Sequence, residues 1–197
     1  EIRQAGGEVE WRWLAVAAAL YPLSMAVQLL VWHDLMATIG GHGSLRGNVI
    51  AYSLVNLGKS LPGVLFHIGG RLLVYDALGV ARSLTLRATL IEGLLFPLAG
   101  LLCWLNLAAL RAPGALRLLL PLTLVGSVAA LRGLARWQGL APRRVALWAG
   151  SYALTWLNGL FFLLALVNAV SPSRPDALTL WQIWLAGSLA GYAATYL

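Results

Sequence analysis

Lys59, Arg71 and Glu92 are ionisable side chains set among apolar neighbours, and chemistry in this chain has to start from them. Lys59 stands in Asn48-Val-Ile-Ala-Tyr52-Ser-Leu-Val-Asn56-Leu-Gly58-Lys59-Ser60-Leu61-Pro62-Gly63, a stretch too polar for an ordinary membrane span and too apolar for a soluble loop. At about 100° per residue, Asn48, Tyr52, Asn56 and Lys59 fall within about 80° of one another, while Ile50, Leu54 and Leu57 face the other way. Beyond the Pro62-Gly63 break, His67, Arg71 and Tyr75 repeat an i, i+4, i+8 spacing. Two half-helices with polar stripes, set among membrane helices, are a common way to build a site for a polar ligand. An ammonium at bilayer depth costs about 2.5–3.5 kcal/mol, so Lys59 needs a reason. Beside the free amides of a helix starting after Pro62-Gly63 it suits an anion, and phospholipid phosphate is the available one. The other reading is that it snorkels to the interface.

Glu92 lies four residues inside an apolar helix, on the face of Thr85 and Thr89. A buried carboxylate there pairs with a cation or stays protonated. Arg71 and Lys59 are the candidate partners, and the pair would either hold the broken helices in place or take part in substrate handling. Arg87 reads as an interface anchor. His67 fits a hydrogen-bonded packing residue better than a proton carrier.

Other patterns fail on context. Gly58-Lys59-Ser60 resembles the tail of a phosphate-binding P-loop, yet the first glycine falls on Ser53, no strand precedes it, and Pro62 stops the helix a P-loop requires. His33, His42 and His67 lack metal-ligand spacing and have no carboxylate cluster. Cys103 has no second cysteine. There are no paired carboxylates, no triad pattern and no cofactor motif, so no catalytic residue, metal site or cofactor is expected. Ser151, Thr155 and Asn158 share a helix face, and Gly187-x-x-x-Gly191 marks a small-residue face; both predict helix–helix contact.

The elements that position these residues are membrane helices. Hydrophobic residues make up 60% and charged residues 11% of the chain, where soluble domains are near a quarter charged. The net charge of +7 comes from arginines lying between apolar segments, which argues for membrane topology and against nucleic acid. The expected fold is all-α and polytopic. It has about five spans (Trp13–Trp32, Ala88–Leu110, Ala115–Leu131, Val145–Val170, Leu178–Leu197) and a broken, re-entrant helix pair at 47–79. Trp11, Trp13 and Trp32 read as interfacial anchors, Arg71–Arg87 as an amphipathic surface connector, and Arg132–Arg144 as a loop. Placing that loop in the cytoplasm also puts the Met36–Arg87 region there. Arg46, Lys59, Arg71, Arg82, Arg87, Arg132, Arg136, Arg143 and Arg144 then lie inside, nine of the 14 Lys and Arg residues, with residue 1 outside. The first ten residues have no basic stretch ahead of an apolar core, and the last apolar segment runs into Leu197 uncapped. The expectation is a single transmembrane domain over 1–197 within a longer chain, with an N-terminal helix and C-terminal helices outside these residues.

Asn56-Leu-Gly58-Lys59-Ser60-Leu61-Pro62-Gly63, followed by Gly70-Arg71, Gly79-Val80 and Glu92 in the next helix, resembles the lysylphosphatidylglycerol synthase transmembrane-region family, also called the flippase-like domain family. The match is specific over 48–100 and loose elsewhere. It departs from the family pattern at Ser60, where an aromatic residue is usual. The resemblance implies a bacterial or archaeal inner-membrane protein, multi-pass, acting on phospholipids or lipid-linked sugars, often as a translocase. Carried over residue by residue, it points to Lys59, Pro62, Gly63, Arg71 and Glu92; the polar stripe adds Asn56 and Tyr52. The implied partners are anionic or lipid-linked membrane lipids, with a homo-oligomer or larger membrane complex open. The alternative function is an accessory subunit of a membrane assembly, in which the scaffold only packs and binds structural lipid. A glycosyl- or acyl-transfer enzyme lacks a catalytic constellation here.

Overall fold

A computed structural model describes residues 9–41, 44–58, 64–114, 119–170 and 176–196; of 57–58, 64–67, 119 and 194–196 only the backbone is described. Among these residues there are seven helices and no strand: α1 (Trp11–Thr38), α2 (Leu45–Gly58), α3 (Val64–Ala77), α4 (Arg82–Arg111), α5 (Leu119–Gln138), α6 (Pro142–Val170) and α7 (Ala177–Tyr196). Three of them, α1, α4 and α6, are long and apolar enough to cross a membrane. At 28, 30 and 29 residues they measure about 42–45 Å by the helical rise. The apolar stretch of α1 is only 11% buried by the rest of the chain, as expected for a helix solvated by lipid. The chain is thus a helical, membrane-embedded protein. The third and fifth expected spans correspond to α5 and α7, 20 residues each, which are not among those three.

One end of the bundle gathers the C-termini of α1, α3 and α5 and the N-termini of α2, α4 and α6. Asp34 on α1 accepts from Trp148 Nε1 on α6 at 2.8 Å and pairs with Arg144 at 3.4 Å, and Arg87 on α4 donates to the Gln138 carbonyl that ends α5. At the opposite end the Glu10 N–H donates to the Ala169 carbonyl at 3.0 Å, and Arg111 at the end of α4 reaches Thr179 and Gln182 on α7.

Three features differ from expectation. α5 continues through Arg132, Arg136 and Trp137, so the predicted loop at 132–144 shrinks to residues 139–141. Gly139 at φ 64° turns the chain, with the Leu140 N–H returned to the Ala135 carbonyl at 2.8 Å, and Pro142 opens α6. Arg71–Arg87 is not one surface connector. α3 runs to Ala77, Gly79 at φ 76° closes it through Val80 N–H to the Tyr75 carbonyl at 2.9 Å, and α4 starts at Arg82, earlier than the expected Ala88. Finally, Trp32 is no interfacial anchor: it is fully buried, while Trp11 is exposed.

Pro97 shapes how α7 docks. A proline inside a helix removes the hydrogen bond to the carbonyl four residues back, here that of Gly93. Tyr192 on α7 donates its hydroxyl to that carbonyl at 3.2 Å. Indole rings pack the two adjoining interfaces, with Trp156 of α6 lying against Gly100 of α4 and Trp184 of α7 against Gly159 of α6. By contrast, a Cβ at Gly187 or Gly191 would meet no atom of the described residues within 4 Å, so the expected small-residue face on α7 makes no close contact among them. The Asn158 expectation holds. Its Nδ2 donates to the Leu20 carbonyl at 2.7 Å and to Ser24 Oγ at 2.6 Å, joining α6 to α1.

Candidate functional site

α2 and α3 are 14 residues each and turn back on one another. Their outer ends meet where Tyr75 donates to Asn48 Oδ1 at 2.6 Å, and Leu78 lies beside Gly47. Each helix has a polar stripe at i, i+4 spacing facing the bundle. Asn48 and Tyr52 on α2, and Arg71 and Tyr75 on α3, are buried, whereas Ile50, Leu54 and Leu73 are exposed. The hairpin is therefore polar within and apolar without.

Arg71 sits at its centre, 1% exposed. Glu92 of α4 forms an ion pair with it through Arg71 Nη1 and Glu92 Oε2. The guanidinium also lies 4.0 Å from the Trp32 ring centroid and 5.4 Å from that of Tyr52, a cation held against aromatic faces in a dry setting. The other carboxylate oxygen, Oε1, lies 3.2 Å from the Tyr52 hydroxyl and 3.4 Å from the Tyr152 hydroxyl, both donors to it. Gln28 Oε1 is 3.3 Å from the same Tyr52 oxygen. Since a phenol has one proton and the carboxylate claims it, the Gln28 amide turned about would donate to Tyr52 instead. One centre thus joins α1, α2, α3, α4 and α6.

A second layer lies toward the outer end of the hairpin. Trp32 Nε1 can only donate, and does so to the Tyr75 oxygen at 2.5 Å. Tyr75 then gives its proton to Asn48 Oδ1, which turns Asn48 Nδ2 toward His33 Nδ1 at 2.7 Å. In the neutral imidazole this leaves Nε2 carrying the proton.

Comparison with models of protein families, with curated proteins and with solved structures found no match.

The two predicted stripes converge, and Glu92 takes Arg71 as its partner. Asn56 is half-buried one turn beyond Tyr52. Lys59, Pro62, Gly63 and the His67 side chain lie outside the described residues. Trp32, Gln28, His33 and Tyr152 belong to the centre but were not predicted for it. Gln28 and Tyr152 lie on polar faces, with Ser24 and with Thr155, that read as helix–helix contacts, while tryptophan near a span's end ordinarily marks the interface.

Two buried donors at the centre, Arg71 Nε and Asn56 Nδ2, have no hydrogen-bond partner among the described residues. Leaving such a group unmet costs about 1–3 kcal/mol, so both suit an acceptor brought in by water or ligand. Among the described residues no three His, Cys, Asp or Glu side chains group as metal ligands. The arrangement is built to hold oxygen acceptors against a fixed cation.

Proposed function

We propose that this chain handles phospholipid or lipid-linked substrates in the manner of a flippase, with α2–α3 as a re-entrant hairpin and Arg71–Glu92 as the centre that meets the headgroup. The observation that carries the reading is the buried Arg71–Glu92 pair with unmet donors beside it. Ionisable groups at membrane depth are costly, and they mark substrate paths more often than they stabilise. The length of the hairpin supports the same reading. Fourteen residues rise about 21 Å, short of the roughly 30 Å hydrocarbon core. Both helices meet the same end of the bundle, and their outer faces are apolar. The resemblance noted above adds Lys59, Pro62 and Gly63 to the proposed headgroup site.

Topology completes the proposal. Arg46, Arg82, Arg87, Arg132, Arg136, Arg143 and Arg144 lie toward one end of the bundle, against Arg12 and Arg111 at the other. The excess favours the first end in the cytoplasm of an inner membrane, with α1 and α4–α7 making five crossings. Transfer of a fluorescent anionic phospholipid between leaflets of proteoliposomes tests the function. Alanine at Arg71 or Lys59 is expected to abolish transfer while the protein remains folded, and full transfer by both variants would defeat the site.

One observation favours a second reading. Arg71 and Glu92 neutralise each other and are nearly sealed, as in an ion pair that only fastens helices. An accessory subunit of a membrane complex would have such a centre. Stoichiometric copurification of partner proteins, with no transfer by the wild-type chain, would select that reading.

A further inference from the structure

Every described carboxylate has an arginine of its own: Glu10 with Arg12, Asp34 with Arg144, Asp76 with Arg82, Glu92 with Arg71 and Asp176 with Arg111. Arg87 is taken up at the end of α5, where it donates to the Gln138 carbonyl and approaches Gln138 Oε1 at 3.4 Å. Arg132 and Arg136 have no such partner among the described residues. They stand four residues apart on α5, both exposed, so their guanidiniums rise from one helix face. Like charges one turn apart repel unless an anion lies between them.

These arginines end a groove of about 610 Å³ on the outward side of the same helix. Its floor is apolar, with Val125 68% exposed, Val128 also exposed, and Ala129 and Gly133 leaving a shallow trough between side chains. Trp137, 67% exposed, stands just past Arg136. α5 packs beside α4 and α6, both long enough to cross a membrane, so its outward face meets the medium that theirs meet. We propose that Arg132 and Arg136 hold the phosphate of an anionic phospholipid whose acyl chain lies in the α5 groove. A free phosphate would satisfy the charges and leave the apolar trough uncovered; a neutral hydrocarbon would do the reverse. Only an amphiphile with an anionic head fits both. The site is separate from Arg71 and does not depend on the transport reading.

The test is binding of fluorescent phosphatidylglycerol, and of matched phosphatidylcholine, to the full chain in nonionic detergent, read by anisotropy. Wild type is expected to prefer phosphatidylglycerol. An arginine near an anionic lipid is worth about fivefold in binding, so Arg132→Gln with Arg136→Gln is expected to weaken it about 30-fold. Arg46→Gln with Arg143→Gln removes equal charge from the same end and is expected to cost under about threefold, since diffuse attraction is screened. Equal losses in the two double variants would overturn the proposal, leaving a general field and no site. Gly133→Leu adds a side chain into open space and is expected to weaken both lipids by blocking the trough; unchanged binding would refute the acyl groove. Glycerol phosphate at millimolar concentration is expected not to compete, and effective competition would mean that the site takes free phosphate. Arg132→Lys with Arg136→Lys retains the charge and is expected to keep most of the preference, which separates lost binding from lost folding. A change of oligomeric state in the glutamine variant without loss of lipid would assign the groove to a second copy of the chain.

Discussion

Glu92→Leu, Arg71→Met and the two together form a cycle whose outcome follows from the buried centre. Removing one member of a buried pair costs about 3–5 kcal/mol, whereas replacing both with apolar residues of similar size is often close to neutral. The two single changes are not equivalent. Arginine cannot shed its proton, so Glu92→Leu leaves a permanent cation that keeps, among the described residues, the ring faces of Trp32 and Tyr52. Arg71→Met leaves a carboxylate that keeps the Tyr52 and Tyr152 hydroxyls as donors. Glu92→Leu therefore belongs at the upper end of that range and Arg71→Met at the lower. For a chain of 197 residues, at about 2–4 °C per kcal/mol, the two lie about 6–20 °C below wild type. The double variant is expected to lose less than either single one. Thermal unfolding in detergent, followed by tryptophan fluorescence, reads all three, with Trp32 a direct reporter at 4.0 Å from the guanidinium. Both single variants melting with wild type, or a double variant at the sum of the two losses, would refute the description of this centre as a coupled pair.

Tyr192→Phe takes the donor from the Gly93 carbonyl that Pro97 leaves free, and is expected to cost about 0.6–2 kcal/mol. In a Pro97→Ala background the helix supplies its own donor, so the same change should cost nothing; an equal cost in both backgrounds would sink the explanation. Asp176 caps α7, accepting from the Thr179 hydroxyl at 2.6 Å and the Thr179 N–H at 2.8 Å, and these bonds hold its carboxyl below the ordinary value of 3.8. A depressed acid contributes stability above its unfolded-state value and loses it as pH falls through the folded-state value. The gap in melting temperature between wild type and Asp176→Asn should be constant above about pH 4 and close below it, and a gap that widens on acidification would contradict the cap.

The stripes on α2 and α3 were legible because the helical period alone decides which residues share a face: Asn48 with Tyr52, and Arg71 with Tyr75. Glu92 was legible as a charge without solvent, and the need for a cation narrowed its partner to two residues. What periodicity cannot give is the neighbouring helix. Trp32 obeys the rule for interfacial tryptophan, yet the cation of α3 draws it inward. Gln28 and Tyr152 enter the centre through the angles at which α1 and α6 cross, which no local pattern encodes. The arginines of 132–136 read as loop because charge usually ends a membrane helix; α5 carries them because a helix can run past the apolar zone with its charges outward. The Gly187–Gly191 pair failed for a related reason. Small residues permit close approach, but α7 turns Leu185 and Tyr192 to its neighbours and leaves Gly187 and Gly191 exposed.

The return of α3 to the end from which α2 sets out has a consequence for everything downstream. A single added crossing inverts the sidedness of each segment that follows it, so gaining or losing one is disruptive. A hairpin that goes in and comes back changes no parity. A change in the length of this hairpin leaves α4 through α7 in their present orientation, so long as it still brings a cation to Glu92.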